Sequence, residues 1–175
     1  TDGWWERLRP GCVLTPHPGE FARLTGKSVP EIQAHRMDIA AETAARWRQT
    51  VVLKGAGTII AAPDGRVWLS PFSTAALATA GTGDVLAGTI AGLIAQGLAG
   101  PEAACCAVYL HGTAGDLLRK ELGDAGVIAS DVLRALPRAR QEVLGLNTVP
   151  PAFGGPGGGG LGSLAGLAGL GGLGG

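Results

Sequence analysis

The run Thr79-Ala80-Gly81-Thr82-Gly83-Asp84 stands directly before the apolar helical stretch 85–96, and it sets two glycines beside one acid. A helix N-terminus exposes unpaired backbone N–H groups and carries about half a positive charge. Gly81 and Gly83 remove the Cβ atoms that would keep a phosphate from those donors. Asp84 falls in the first turn, where the same dipole favours a carboxylate and aims it at the same point. An anion hole beside a fixed carboxylate is the arrangement for phosphoryl transfer to an alcohol: the amides stabilise the phosphate while the carboxylate accepts the hydroxyl proton. The competing account is a tight turn with Asp84 as a capping residue. A Walker A loop is excluded because no Gly-Lys-Ser/Thr follows. A dinucleotide fingerprint is excluded because G-x-G-x-x-G and a preceding strand are both missing.

Few other residues offer chemistry. His17 lies between Pro16 and Pro18, and Glu20 follows Gly19, where it can cap a helix. Thr79 and Thr82 can bond a phosphate or support their own turn. His111 and Asp116 are five apart, which is poor spacing for one helical face, and His111 reads as packed near the site or buried. The three cysteines, Cys12, Cys105 and Cys106, are odd in number and form no CxxC. They read as reduced thiols of a cytoplasmic protein rather than as a metal site with His111. No acidic cluster forms a dedicated metal cage.

The elements that must position these residues follow from patterning. Residues 12–14 read as a short buried strand. Residues 28–50 read as one helix, with Ser28 and Glu31 as a capping box and Ile32, Ile39, Ala40, Thr43 and Trp47 on one face. Strands are expected at 51–54, 58–62 and 67–69, the last two joined by the Pro63-Asp64-Gly65 turn. The weak alternation of the first two suits strands covered on both faces. Helices are expected at 84–96, buried throughout, and from 100 to about 122. A last one is capped by Ser130 and ended by Pro137. This order argues α/β layers.

Fourteen basic and fourteen acidic residues give zero formal charge, so nothing favours a nucleic acid or an anionic membrane as partner. The apolar stretch falls short of the roughly 20 residues of a membrane span, and no secretory signal pattern opens the chain. Glycine is frequent, at 31 residues, and the excess sits largely after Pro150, where glycine recurs every third residue without the prolines of collagen. Residues 147–175 read as a disordered Gly/Leu-rich tail behind a single domain at 1–146.

Four ordered motifs carry a resemblance: "VLTPHPGEFARLTG", "VLKGAGT", "ATAGTGDVLAG" and "YLHGTAGDL". Over about residues 10–138 they resemble the ADP-dependent NAD(P)H-hydrate dehydratase family of the ribokinase-like superfamily. The resemblance implies a mainly parallel sheet flanked by helices. It implies repair of hydrated NADH or NADPH, in which ADP or ATP phosphorylates the ring hydroxyl and phosphate is then eliminated. It also implies Mg2+ and assembly into homo-oligomers. Carried over by motif, His17 and Asp84 contact the hydrated substrate, Lys54, Gly55, Ala56, Gly57 and Thr58 bind the nucleotide, and Gly83 offers its N–H to phosphate.

Two departures from the pattern stand out. Ser73-Thr74-Ala75 replaces the family's Asn-Pro, and a substantial segment that precedes "TPHPGE" in the family is missing. The expectation is therefore a partial domain with an unpaired sheet edge, prone to self-association through it. The readings that compete are a small-alcohol kinase of the same superfamily and a non-catalytic nucleotide-binding module.

Overall fold

The structure, a computed structural model, describes residues 3–145; the expected tail at 147–175 lies outside them. Strands β1 (Val13–Leu14), β2 (Thr50–Leu53), β3 (Ile59–Ala61) and β4 (Val67–Leu69) form one sheet in that order. Only β1 and β2 pair in parallel, while β2–β3 and β3–β4 are antiparallel. The mainly parallel sheet expected from the resemblance is thus not what the described residues form.

β2 and β3 are buried along their whole length, as their unbroken apolar runs require. Successive side chains face opposite ways. Val51, Leu53, Ile59 and Ala61 meet Phe21, Ile32, Ile39, Ala40, Ala44 and Trp47 on one side. Val52 and Ile60 meet Leu86, Ile90, Ala103, Ala104, Ala107 and Val108 on the other. The first layer is α1 (Pro18–Thr25), α2 (Val29–Ala34) and α3 (Arg36–Trp47); the second is α4 (Thr82–Ala95) and α5 (Gly100–Leu122), with α6 (Ala129–Val143) packed on α5. Trp47 anchors the first layer, with Trp4, Trp5 and Phe21 around it at ring separations of 5.0–6.0 Å.

Four local expectations are corrected. The helix expected over 28–50 breaks at His35, whose φ of −132° and ψ of 41° leave the helical region. Ser28 accepts from the Glu31 amide, but the Glu31 carboxylate turns to Lys27 rather than closing a capping box. The last helix runs through Pro137 to Val143, and its start is secured by Asp131, which accepts from the Ile128 amide, instead of by Ser130. Pro137 and Leu133 are both exposed, so the carbonyl that proline frees faces water, while Val132 and Ala139 are buried on the inner side. Finally, α4 is not buried all round: Ala87, Gly88, Ala91, Gly92 and Ile94 are exposed. Among the described residues no helix is long and apolar enough to cross a membrane.

Two elements shape the site. The loop 70–77 lies directly on α5 because α5 presents glycine beneath it. A Cβ on Gly112 would stand 2.2 Å from the Phe72 ring, and one on Gly115 would stand 2.7 Å from Leu77 and 2.9 Å from Thr74. The second element is α1, which starts at a capping box. His17 Nδ1 accepts from the amides of Gly19 and Glu20, at 3.0 and 3.3 Å, and Glu20 Oε2 accepts from the His17 amide at 2.7 Å.

Gly112→Ala should lower stability by about 1–3 kcal/mol, since its Cβ must displace Phe72. Gly92→Ala, whose Cβ meets nothing within 4 Å in a helix interior, should raise it by up to about 1 kcal/mol. Denaturant midpoints test both, and equal midpoints for the two variants would show that Phe72 does not rest on α5. The amide of His17, ahead of the nearby Lys54 ammonium, holds the Glu20 carboxyl below its ordinary value of 4.5. A depressed carboxylate stabilises the fold above its unfolded pKa and loses that contribution as pH falls through the folded one. Glu20→Gln should therefore cost less than about 1 kcal/mol, as an exposed group allows. The gap from the parent should be full above about pH 5 and close in more acid solution. A gap independent of pH would show that the carboxylate charge is not what Glu20 supplies.

Candidate active site

The turn at 81–84 separates two cavities. The larger, of about 730 Å3, is lined by His17, by the loop after β2, by residues 70–84 and by His111 on α5. The smaller, of about 460 Å3, is lined by Leu14, Thr15 and Pro16 from the end of β1, by Glu20, Arg23 and Leu24 of α1, and by Ala87 of α4. Lys54, Gly83 and Asp84 line both.

Gly81 supplies the turn and Gly83 the space. Gly81 precedes α4 with φ +86°, a left-handed conformation, and a Cβ there would meet Ala129 at 3.1 Å. A Cβ on Gly83 would stand 3.1 Å from Lys54 Nζ. The Lys54 ammonium is thereby held against the amide end of α4, where the helix dipole opposes a cation. Glu20 Oε2, 3.7 Å from Nζ, offsets part of that repulsion. An anion entering between Lys54 and the amides would meet both attractions at once.

The turn itself is braced from below. The Thr82 hydroxyl is 2.8 Å from the carbonyls of Leu77 and Thr79, so it supports its own turn. His111 Nε2 donates to the Thr82 carbonyl at 2.9 Å. Burial lowers the His111 pKa, against a smaller raising effect from that bond, so the ring braces the turn in its neutral form. The two accounts weighed for His111, buried or beside the site, hold together. Thr74 accepts from the Ala76 amide at 3.4 Å and lines the larger cavity, with its methyl group on the α5 side.

Asp84, in the first turn of α4, is exposed, and no described side chain pairs with its carboxylate. His17 combines its capping role with a place in the larger cavity. Because Nδ1 accepts two amides, the ring proton is on Nε2, 3.3 Å from Glu20 Oε1. Lys54, Gly55, Ala56 and Thr58 line the same cavity; Gly57 lies in that loop without lining it. Its amide donates to Phe72, tying the loop to the opposite wall. The structure thus brings His17, Lys54 and the adjacent pair Gly83 and Asp84 together from three separate places in the chain.

Sequence reasoning passed over the walls: Phe72, Leu77, Arg23 and Leu24, which look like ordinary loop and helix residues. It also passed over Arg36, whose Nη2 bonds the loop carbonyls beneath 54–58. No sequence signal marked it, because the helix expected over 28–50 placed Arg36 in mid-helix and the break at His35 shows only in the structure. Cys105 packs beside the second core, and burial raises its pKa to about 11; Cys106 is exposed. Among the described residues no group of three or more His, Cys, Asp or Glu could hold a metal ion.

Comparison with known proteins places this geometry. The sequence pattern of the NAD(P)H-hydrate dehydratase family matches residues 6–138. The bifunctional NAD(P)H-hydrate repair enzyme Nnr of Moorella thermoacetica is 50% identical over 125 residues, 71% of this chain and 24% of its own length. The ADP/ATP-dependent NAD(P)H-hydrate dehydratase of Bacillus subtilis, crystallised with ATP and Mg2+, superposes with a TM-score of 0.72 at 43% identity, covering 74% of this chain and 48% of that one. A ribokinase-like superfamily protein of Enterococcus faecalis superposes with a TM-score of 0.66 at 34% identity, covering 76% and 45%. The chain spans a quarter to a half of the length of these proteins. Matched through both of its helical layers and through the turn that joins its two cavities, the chain belongs to the NAD(P)H-hydrate dehydratase family.

Proposed function

We propose that this chain carries the phosphoryl-transfer centre of an ADP-dependent NAD(P)H-hydrate dehydratase, a carbon–oxygen lyase that repairs nicotinamide nucleotides. The observation that carries the reading is the position of Lys54, Gly83 and Asp84 on the boundary of both cavities. A reaction between two bound molecules needs that arrangement, with the base and the anion donors where the partners meet. The nucleotide, ADP or ATP, takes the larger cavity, with Lys54, Gly55, Ala56, Gly57, Thr58 and Gly83 around its phosphates. The hydrated nicotinamide ring lies toward His17 and Asp84.

Asp84 accepts the proton of the ring hydroxyl as its oxygen attacks the terminal phosphorus. Lys54 and the Gly83 amide hold the charge that develops on the phosphate oxygens. ADP leaves as AMP. The phosphorylated ring then loses inorganic phosphate from the hydroxylated carbon and a proton from the adjacent carbon, which restores the dihydronicotinamide. Asp84 is the lone carboxylate lining the larger cavity, which fits a Mg2+ ion whose ligands are chiefly phosphate oxygens and water. Bound there, the ion would neutralise phosphate charge. The edge of β1, unpaired among the described residues, and the exposed face of α4 support self-association as part of the same reading.

Incubation of the chain with hydrated NADH, ADP and Mg2+ should restore dihydronicotinamide absorbance. Asp84→Asn should lower kcat by roughly 10²–10⁴-fold with ADP affinity little changed. Lys54→Ala should chiefly weaken ADP. Full turnover by Asp84→Asn would remove Asp84 as the base. ADP binding without turnover in the parent would mark the chain as a nucleotide-binding module.

A further inference from the structure

Arg36 is a cation where elementary electrostatics argues against one. It opens α3, at the helix end that repels positive charge. It is partly buried, and loss of solvent lowers its pKa from the ordinary value. No described carboxylate pairs with it. Its partners are four neutral oxygens: Nη1 donates to Gln33 Oε1 at 3.0 Å, and Nη2 is shared among the carbonyls of Leu53, Lys54 and Gly57 at 3.2, 3.4 and 3.3 Å. A desolvated charge without a counter-charge is costly to hold. Conflicts of that kind gather at functional sites.

What the guanidinium does to the loop follows from peptide geometry. In a trans peptide the carbonyl and the next N–H point in opposite directions. Drawing the Lys54 carbonyl toward Arg36 turns the Gly55 amide away from it, and drawing the Gly57 carbonyl does the same to the Thr58 amide. No described residue accepts from the amides of Gly55 or Thr58, the two that Arg36 turns, or from that of Ala56, whose peptide carbonyl at Gly55 accepts instead from the Thr58 hydroxyl at 3.0 Å; Gly55, Ala56 and Thr58 line the larger cavity. The glycines make this possible. Gly55 and Gly57 have φ of +142° and +62°, and a Cβ on Gly55 would stand 3.0 Å from Arg36 Nη1.

We infer that Arg36 is the positioning residue of the 54–58 loop: it holds the Leu53, Lys54 and Gly57 carbonyls inward so that the loop's free amides face the cavity and take the phosphates of a nucleotide. Arg36 itself does not touch the ligand. The inference deepens the function proposed above and rests on its assignment of this loop to the nucleotide. The competing account makes Arg36 a strut between α3 and β2. A strut would lower the stability of the whole first layer when removed and leave the nucleotide affinity of folded molecules unchanged.

The test is nuclear magnetic resonance on the labelled chain, with ADP as the probe, comparing the parent with Arg36→Met and Arg36→Lys. In the parent, ADP should shift the Gly55 and Ala56 amides. Arg36→Met should raise the ADP Kd by roughly ten- to a hundredfold, the range for hydrogen bonds to a charged group. Arg36→Lys should fall between, since an ammonium meets some of the carbonyls without the planar fork. Hydrogen exchange supplies the readout a strut would not give. The amides of Lys54 and Gly57, bonded to Pro16 and Phe72, should exchange at least about tenfold faster in Arg36→Met while the β2–β3 ladder keeps its protection.

Equal Kd values across folded variants, or acceleration spread evenly over loop and ladder, would overturn the inference. Should the parent bind no ADP, the proposed function falls. The exchange pattern then decides for Arg36: selective loop acceleration upholds it, and uniform or absent acceleration refutes it. Should Arg36→Met not fold, Arg36→Lys is judged by the same two readouts.

Discussion

The close approach of the Lys54 ammonium to the backbone at Gly83 is the contact on which the cleft depends. It sets a side-chain cation against the positive end of α4, and the charge of Glu20 only partly offsets it. That contact exists because α4 cannot retreat. Leu86 and Ile90 are seated on Val52 and Ile60, and His111 and Thr82 fasten the first turn from beneath. The fold therefore holds the Lys54 ammonium beside the Gly83 amide, the first-turn N–H for which no described group is an acceptor, while those of Thr82, Asp84 and Val85 donate to backbone carbonyls. Groups fixed in this way need no reorganisation, which is where preorganised sites gain their advantage over water.

Small residues do the fastening. α5 passes Ala103, Ala104, Ala107, Gly112, Ala114 and Gly115 through the interior, so the sheet, α6 and the loop 70–77 can all approach its backbone. Side chains this short bury little apolar area each, and the stabilising bulk sits elsewhere, around Trp47 and Phe21. The division has a functional sense. The heavy core fixes the first layer, from which Arg36 and His17 reach the site. The light core lets the cavity wall lie close to α5 without being thickened by it.

Much of this was legible beforehand. The glycines of 81–84 announced a turn into a helix start, because glycine and acid at that spacing answer to backbone geometry alone. The apolar runs of 51–53 and 59–61 announced strands buried on both faces. What escaped was non-local. The break at His35 frees α3 to turn its first residue under the 54–58 loop, and nothing within 28–50 records that need. The helix runs on through Pro137 because the carbonyl it frees faces water, which depends on which side of α6 packs on α5. Arg36 was invisible because its partners are carbonyls, and every residue has one.

The two cavities differ in what holds their walls. The larger is enclosed by residues 54–58, 70–84 and 111, and each of those stretches is tied to another: Gly57 to Phe72, Thr82 to Leu77 and Thr79, and His111 to Thr82. Its shape is thus a property of the described residues themselves. The smaller draws Leu14, Thr15 and Pro16 from the end of β1, an edge strand paired on one side only. A strand of two residues with one neighbour has half the ladder of a central strand to hold it in place. The position of its end, and of the cavity wall it forms, answers to whatever lies against its open side. The walls of the two cavities are therefore held unequally. Those of the larger are tied to one another, while the smaller is bounded in part by a strand edge that has no partner among the described residues.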